Sequence, residues 1–280
     1  MSIRVGVGSP AGIPGSDPEL VLDWAGRADA TPCSSLGVID RLAYGNQDPF
    51  AVLAAAAAVT SRIRLATCIL IAPLRDTQLL ARQAATVDAL SGGRLTLGVA
   101  VGARTDDYHA AGLDPRGRGR RLSEQLGVLR DAFDQPGDPA PPGRGRPELL
   151  VGGQSGAALA RMARYGDGYV HGGGPPRAFA GAAERARAAW ADAGRPGTPR
   201  LWGMAYFAFG DAAEAGRDYV RDYYAFTGVF AERISEGVLT HARAVTELVR
   251  GYEDAGCDEL LLFPAVARPD QLDRLADALR

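Results

Sequence analysis

Short apolar runs rich in β-branched residues alternate with longer helical patterns along the whole chain, and this alternation constrains the fold more than any other feature. Eight runs are predicted as strands: Ile3–Gly8, Ser35–Asp40, Ile63–Ile71, Leu95–Val101, Glu148–Gly152, Gly168–His171, Arg200–Phe209 and Asp258–Pro264. Strands separated by helices are joined by crossovers and therefore lie parallel in one sheet. Eight such units predict a closed (β/α)8 TIM barrel, because an open doubly wound sheet usually has fewer strands in one domain.

Helical patterns fill the segments between and after these strands. They are Pro18–Ala28, Pro49–Thr60, Asp76–Leu90, Arg116–Phe133, Ser155–Tyr165, Pro176–Ala193, Asp211–Arg233, His241–Ala255 and Pro269–Leu279. Two of them, Asp211–Arg233 and His241–Ala255, lie between strands seven and eight, so we predict a helical insertion there. Such insertions commonly form lids. The Pro- and Gly-rich segment Gln135–Pro147 is predicted as a surface loop. No linker divides the 280 residues, so residues 1–280 are predicted to form one domain.

The charge and the lysine content exclude several functions. The formal net charge is −2, which gives no basic surface for nucleic acid or for an anionic membrane. All 31 basic residues are arginine, so no lysine can form a Schiff base with a substrate or with pyridoxal phosphate. We therefore expect neither a nucleic-acid partner nor a membrane partner, and we exclude enzymes that work through a lysine Schiff base.

Metal binding and membrane insertion have little support in the sequence. The three cysteines form no CxxC pair, and the three histidines lie far apart, whereas zinc sites usually show closer pairs. No apolar run approaches the ~18 residues of a membrane span. Met1–Val5 leads directly into a strand rather than into a signal peptide. We expect a cytoplasmic protein without a metal site.

Glycine-rich loops follow two neighbouring strands. Gly152, Gly153, Gln154 and Ser155 come after strand five and open a helix, while His171–Gly174 follows strand six. Glycines let backbone N–H groups approach an anion closely, and a helix N-terminus adds its positive dipole end. The carboxyl ends of barrel strands also carry the active sites of such folds. A phosphate held between the two loops is therefore predicted; the alternative is a tight turn in which Ser155 only caps the helix.

Residues Ala85–Arg94 have the specific pattern Ala-Thr-Val-Asp-x-Leu-Ser-x-Gly-Arg. With this block the sequence resembles the luciferase-like flavin and deazaflavin oxidoreductases. The resemblance also rests on Asp40–Leu42, Ile63–Thr67, Leu97–Gly102 and Gly166–Gly168, and in order it covers nearly the whole chain. It implies the same barrel with a long insertion after strand seven, a flavin-type cofactor and a homodimer.

The resemblance also implies where the cofactor binds. A non-proline cis peptide often lies at the end of strand three beneath the ring, and the matching bond joins Cys68 to Ile69, directly after Thr67. The cofactor phosphate is expected at Gly152–Ser155, with help from His171, Gly172 and Gly173. Enzymes of the family that use FMN can place a phosphate-binding arginine at the position of Val101, beside Gly102. Arg104, three residues later, is the candidate substitute; the alternative is a solvated loop residue.

Few titratable residues are candidates for catalysis. His171 at the end of strand six could donate a proton to a substrate oxygen, contact the cofactor or fill space. Asp40 ends strand two and is expected to pair with the adjacent Arg41, as a catalytic or, with more support, a structural carboxylate. Tyr44 could offer its phenol to the substrate. Related enzymes often carry a catalytic histidine in this loop, and this chain has none.

Aromatic residues cluster in the insertion and at the end of strand seven. They are Tyr219, Tyr223, Tyr224, Phe226 and Phe230, together with Tyr206, Phe207 and Phe209. These side chains could wall an apolar substrate pocket or close it as a lid. The helical spacing of the first group equally fits packing in a core or at a dimer interface.

Three functions remain open. The first is a flavin-dependent monooxygenase that uses reduced FMN, O2 and a small organic substrate. Since no GxGxxG motif follows a strand, a separate reductase would supply the reduced flavin. The second is a deazaflavin coenzyme-dependent enzyme that transfers hydride on the same barrel, with its own reductase. The third is a non-catalytic flavin-binding protein.

Overall fold

The computed structural model describes residues 2–134 and 146–280, and its centre is a closed barrel of eight parallel strands. The strands are β1 (Arg4–Gly8), β2 (Ser35–Val38), β3 (Arg64–Ile71), β4 (Leu95–Ala100), β5 (Glu148–Gly152), β6 (Gly168–Val170), β7 (Arg200–Phe207) and β8 (Glu259–Pro264). They pair in sequence order, and β1 closes the barrel by pairing with β8 from Arg4 opposite Glu259. The predicted (β/α)8 barrel is confirmed, and each strand ends within two residues of its predicted end.

Helices surround the barrel. They are α1 (Pro18–Asp29), α2 (Pro49–Val59), α3 (Thr77–Leu90), α4 (Asp106–Ala110), α5 (Arg118–Asp134), α6 (Gly156–Tyr165), α7 (Pro176–Asp192), α8 (Ala213–Tyr223), α9 (Phe230–Ser235), α10 (Ala242–Asp254) and α11 (Asp270–Ala278). The carboxylates of Asp17, Asp48 and Asp76 accept hydrogen bonds from the first N–H groups of α1, α2 and α3. These caps satisfy donors that a helix leaves without partners at its start.

The insertion between β7 and β8 differs from the prediction in its first half. A single helix over Asp211–Arg233 is wrong: α8 ends at Tyr223, and α9 begins only at Phe230. Gly228, between them, has φ +61°, a conformation that breaks a right-handed helix and favours glycine. The predicted loop Gln135–Pro147 lies largely outside the described residues.

The core has two layers because side chains alternate along each strand. On β7, Trp202, Met204 and Tyr206 point into the barrel, whereas Leu201 and Phe207 pack outward against the helices. Inside the barrel Phe263 takes the space opposite Gly8, where an added Cβ would lie 2.1 Å from its ring. The Phe263 ring therefore fills the part of the interior beside the end of β1.

The amino end of the barrel is closed by charged and polar groups. Glu259 is fully buried, and its carboxylate accepts hydrogen bonds from Ser34 and Ser35 and lies 2.9 Å from the Arg4 guanidinium. In barrels of this kind the active-site loops lie at the opposite, carboxyl end. Within residues 2–134 and 146–280, none of the helices has the length and apolar character needed to span a bilayer.

Candidate active site

A cavity of about 380 Å³ lies at the carboxyl end of the barrel, beneath the insertion. Its wall combines three sets of residues. The strand ends contribute Ile39, Asp40, Arg41, Cys68, Ile69, Ile71, Ala100, Met204 and Tyr206; the loops and the helix starts that follow them contribute Val101, Gly102, Ala103, Arg104, Asp107, Arg118, Gly153 and Gly172; the insertion contributes Tyr223, Tyr224 and Phe226. Most of these side chains are apolar, as is usual for a site that takes a flat organic cofactor or substrate.

The wall at β3 has the backbone feature that the resemblance implied. The peptide bond between Cys68 and Ile69 is cis, and the pairing of β3 with β4 shifts register between Thr67 and Leu70. Cys68 and Ile69 both line the cavity. Thr67 does not, because its hydroxyl donates a 2.8 Å hydrogen bond to the Gly98 carbonyl on β4. Burial raises the pKa of the Cys68 thiol, so this sulfur stays protonated at neutral pH.

The loop after β4 brings Val101, Gly102 and Arg104 to the cavity. Arg104 is buried, so the alternative of a solvated loop residue is wrong. Its guanidinium donates a hydrogen bond to the Tyr223 carbonyl and lies 4.2 Å and 4.3 Å from the ring centres of Tyr223 and Phe226. The insertion therefore holds this arginine at the edge of the cavity.

A second cavity, of about 660 Å³, adjoins the first. The two share Gly172, Met204, Tyr206, Tyr224 and Phe226, and the second continues past Gln154, Gly173, Gly174, Arg177 and Arg233. Gly153 lines the first cavity and Gln154 the second, so the loops after β5 and β6 meet where the cavities join. The predicted meeting of the two glycine-rich loops is present in the structure.

These loops fit the phosphate-bearing tail of a flavin-type cofactor. A Cβ added to Gly172 would meet nothing within 4 Å, which leaves its backbone open to a ligand. Gly153 and Gly173 have φ of +119° and +106°, a region that other residues rarely adopt. Arg177, Arg233 and one carboxylate, Glu236, line the second cavity, and neither arginine forms an ion pair with a carboxylate within the described residues. Exposed backbone and free cations together suit an anionic tail.

Gly152 and Ser155 have structural tasks in the same loop. A Cβ on Gly152 would lie 2.5 Å from the terminal methyl of Ile69, so a larger residue here would push that side chain aside. The Ser155 hydroxyl accepts a 3.2 Å hydrogen bond from the Ala158 N–H and caps α6. For Ser155 the helix-cap alternative holds, and it lines neither cavity.

His171 lies away from both cavities. Its side chain continues the outward direction of Tyr169 on β6, and its ring stands edge-on to Phe179 of α7 at 5.8 Å. Burial, and then the nearby Arg185, lower the pKa of His171, so the ring is neutral at pH 7. The side chain proposed from sequence as an acid is thus part of the packing between strand and helix.

We expect His171→Phe to keep flavin affinity within about threefold of wild type and to remove a pH-dependent loss of stability. Because the folded state disfavours the charged imidazole, wild-type stability is complete above the ordinary histidine pKa near 6.5 and declines below it. Urea unfolding at pH 7.5 and pH 5.5 measures this decline in both proteins. A variant that loses flavin binding while remaining folded would show that His171 serves the site.

Asp40 and Arg41 do not pair with each other, so that prediction is wrong. The Asp40 carboxylate accepts hydrogen bonds from the Arg75 guanidinium at 2.6 Å and 3.0 Å and from the Ile71 N–H at 2.8 Å. Arg41 turns instead to Asp106 and Asp107, at 2.9 Å and 2.7 Å. Both residues line the cavity, but their charges are already matched, which fits a structural role for Asp40.

The Tyr44 side chain contacts the insertion rather than the cavity. Its hydroxyl donates a 2.6 Å hydrogen bond to Asp222 of α8, and its ring stands edge-on to Tyr223 at 5.2 Å. It lines neither cavity, because the loop after β2 turns toward the insertion. Tyr44 therefore connects the barrel to the insertion rather than reaching a substrate.

The aromatic residues divide between the two roles predicted from the sequence, which are lining a pocket and packing elsewhere. Tyr206, Tyr223, Tyr224 and Phe226 line the first cavity. The others do not: Phe207 and Phe209 belong to the outer core, Tyr219 donates to the Gly12 carbonyl, and Phe230 is 62% exposed. Helical spacing alone could not separate these groups, since it does not show which face of the insertion meets the barrel.

Sequence reasoning missed several lining residues. Met204 could have been found from the alternation on β7, which places it on the inner face with Trp202 and Tyr206. Arg118, Arg177 and Arg233 lie at the starts or ends of helices, where the sequence shows no sign that they face a cavity. Within the described residues no group of three acidic, histidine or cysteine side chains is arranged to hold a metal ion.

Comparison with known proteins identifies the family. The family model described as luciferase-like monooxygenase matches residues 2–272. The chain belongs to this family. It is therefore an oxidoreductase, and its barrel, its cis peptide and its insertion are those that the resemblance led us to expect.

Individual proteins resemble the chain in sequence or in structure. It is 33% identical over 171 residues to the pyrimidine monooxygenase RutA of Stutzerimonas stutzeri, which covers 54% of this chain and 47% of that protein. An F420-dependent secondary alcohol dehydrogenase superposes over 100% of both chains with a TM-score of 0.82 and 16% identity. The oxygenating constituent of 3,6-diketocamphane monooxygenase from Pseudomonas putida, solved with FMN, has a TM-score of 0.73 and 18% identity over 99% of this chain and 96% of its own. At these identities the two structures show the shared fold alone.

Proposed function

We propose that this protein is a flavin-dependent monooxygenase that uses reduced FMN and O2 to oxidise a small organic substrate. The observation that carries the proposal is the pair of joined cavities. One is apolar and bounded by the cis peptide at Cys68, and the other runs out between two glycine-rich loops. Membership of the luciferase-like family and the likeness to a pyrimidine monooxygenase support the same chemistry.

The residues of the first cavity would hold the ring and keep water away from it. Cys68, Ile69 and Met204 offer apolar surface for a flat ring, while the backbone at Gly153 and Gly172 would take the phosphate. When bound, reduced FMN supplies the electrons that activate O2. The protein's contribution is therefore binding, orientation and the exclusion of water, and it needs few acids or bases of its own.

Two phenols of the cavity can donate hydrogen bonds. The hydroxyls of Tyr206 and Tyr224 lie 3.3 Å apart, and both side chains line the cavity. Burial raises the pKa of each, so both hydroxyls keep their protons at neutral pH. We propose that this pair donates a hydrogen bond to a substrate oxygen; proton donation to such an oxygen was one of three roles that the sequence left open for His171.

The electron source is proposed to be a second protein. The chain has no GxGxxG motif after a strand that would mark a nicotinamide site, so a separate flavin reductase would deliver reduced FMN. By analogy with the family we also propose that the protein works as a homodimer.

A second candidate is a deazaflavin-dependent enzyme that transfers hydride. Val101 stands where FMN enzymes of this family can place a phosphate-binding arginine, and it cannot donate a hydrogen bond from its side chain. Coenzyme F420 carries a longer acidic tail than FMN, and the second cavity offers Arg177 and Arg233 along its length. The structural likeness to an F420-dependent alcohol dehydrogenase is consistent with this alternative.

Cofactor binding and oxygen uptake together separate the candidates. Purified protein is titrated with FMN and with F420, and binding is followed by quenching of cofactor fluorescence. Photoreduced FMN is then added with a panel of cyclic amides, ketones and carboxylates in an oxygen electrode. Substrate-dependent product formation with oxygen uptake supports the monooxygenase. Tight F420 binding without FMN binding supports hydride transfer, and binding of neither cofactor contradicts both.

A further inference from the structure

Arg104 is a buried cation without a matching anion. Only 7% of the residue is exposed, and its guanidinium forms no ion pair with a carboxylate among residues 2–134 and 146–280. A buried charge is unfavourable unless an opposite charge or several hydrogen bonds compensate for it. We therefore expect a ligand bound in the adjacent cavity to supply the missing negative charge.

The contacts of Arg104 with the protein leave part of its guanidinium unused. Nη2 donates to the Tyr223 carbonyl, whereas Nη1 is buried without a hydrogen-bond partner in the described part of the chain. The rings of Tyr223 and Phe226 lie close enough for cation–π attraction, which fixes the position of the group but does not neutralise it. The side chain is held in place and still has donors to offer.

The other charges of the first cavity do not compensate for Arg104. The two carboxylates in its wall, Asp40 and Asp107, already accept hydrogen bonds from Arg75 and Arg41. Arg118 also lines the cavity, and within the described residues it contacts the Tyr108 ring but no carboxylate. The cavity is thus an apolar space with two unmatched arginines at its rim, and it favours an anion over a neutral molecule.

We propose that Arg104 binds a carboxylate of the substrate, so that the enzyme acts on small aromatic or aliphatic carboxylic acids. This inference rests on the proposed function, since it assigns the first cavity to the substrate and the ring. Arg104 does not line the second cavity, which has its own arginines and glycine turns for the cofactor tail. A guanidinium presents two parallel N–H donors that match a carboxylate, and the aromatic wall would take the apolar remainder of the acid.

Calorimetric titration with paired probes tests the proposal. Benzoate and hexanoate are compared with their neutral analogues benzamide and hexanamide, on wild-type protein with and without added FMN. We expect at least one carboxylate to bind roughly tenfold tighter than its amide. Arg104→Gln should remove this preference, and Arg104→Lys should restore part of it. Arg116→Gln, which removes an exposed arginine outside both cavities, should leave the preference unchanged.

Other outcomes overturn the proposal. Equal or absent binding of acids and amides by the wild-type protein would do so, even if Arg104→Gln failed to fold. Retained preference in a folded Arg104→Gln would reduce this arginine to a structural contact. If Arg104→Gln weakened FMN binding but not riboflavin binding, Arg104 would serve the cofactor phosphate instead. Since FMN binding is measured separately, failure of the cofactor proposal is distinguishable from failure of this one.

Discussion

Replacing Gly172 with leucine is expected to weaken flavin binding by roughly 10–100-fold without unfolding the barrel. Gly172 lies where the two cavities join, and the space beside it is empty of protein atoms to 4 Å. A leucine side chain would therefore extend into the volume that we assign to the cofactor, and its Cβ would meet no other residue within 4 Å. Fluorescence titration with FMN and with F420 measures the loss, and thermal unfolding checks the fold.

A matched glycine controls for this substitution. Gly127 lies on α5 outside both cavities, and a Cβ there would meet only the Tyr165 ring, at 4.0 Å. Gly127→Leu should bind flavin as the wild-type protein does. Undiminished flavin binding by a folded Gly172→Leu would show that the cofactor does not pass through the junction of the cavities.

Asp107→Ala is expected to destabilise the protein by about 3–5 kcal/mol, which corresponds to a decrease in Tm of roughly 10 °C. The carboxylate is fully buried and accepts hydrogen bonds from the Arg41 guanidinium and from the N–H groups of Leu42 and Ala43. Its removal would leave a buried arginine and two backbone donors without a partner. Urea unfolding provides the free energy difference.

Asp106→Ala is the control for Asp107, since both carboxylates contact the same arginine. The Asp106 side chain is 54% exposed, and exposed ion pairs contribute only about 0–1 kcal/mol. Equal effects of the two substitutions would contradict the view that burial, rather than the ion pair itself, gives Asp107 its importance.

The barrel could be predicted well because the sequence features that indicate it each lie within a short stretch of the chain. Alternation of strands with helices and glycines after β5 and β6 are each visible within a few residues. Local features of this kind need no knowledge of how distant loops run. The cis peptide between Cys68 and Ile69, by contrast, was expected from the family resemblance.

The partners of charged side chains could not be predicted in the same way. Asp40 pairs with Arg75 and Arg41 with Asp107, residues 35 and 66 positions apart, because the paths of separate loops bring them together. For His171 the sequence left three roles open, although the alternation on β6 already turns it outward with Tyr169, away from the barrel interior. Contacts with the insertion hold Arg104 at the cavity. These contacts could not be predicted, because the first helix of the insertion was predicted too long.

A crystal structure of the protein grown with FMN or F420 tests the central claim most directly. We predict ring density in the first cavity against Cys68 and Ile69, with the phosphate on the backbone of the loops at Gly153 and Gly172. A ring bound elsewhere on the barrel, or a first cavity closed by side chains in crystals of the complex, would contradict this account.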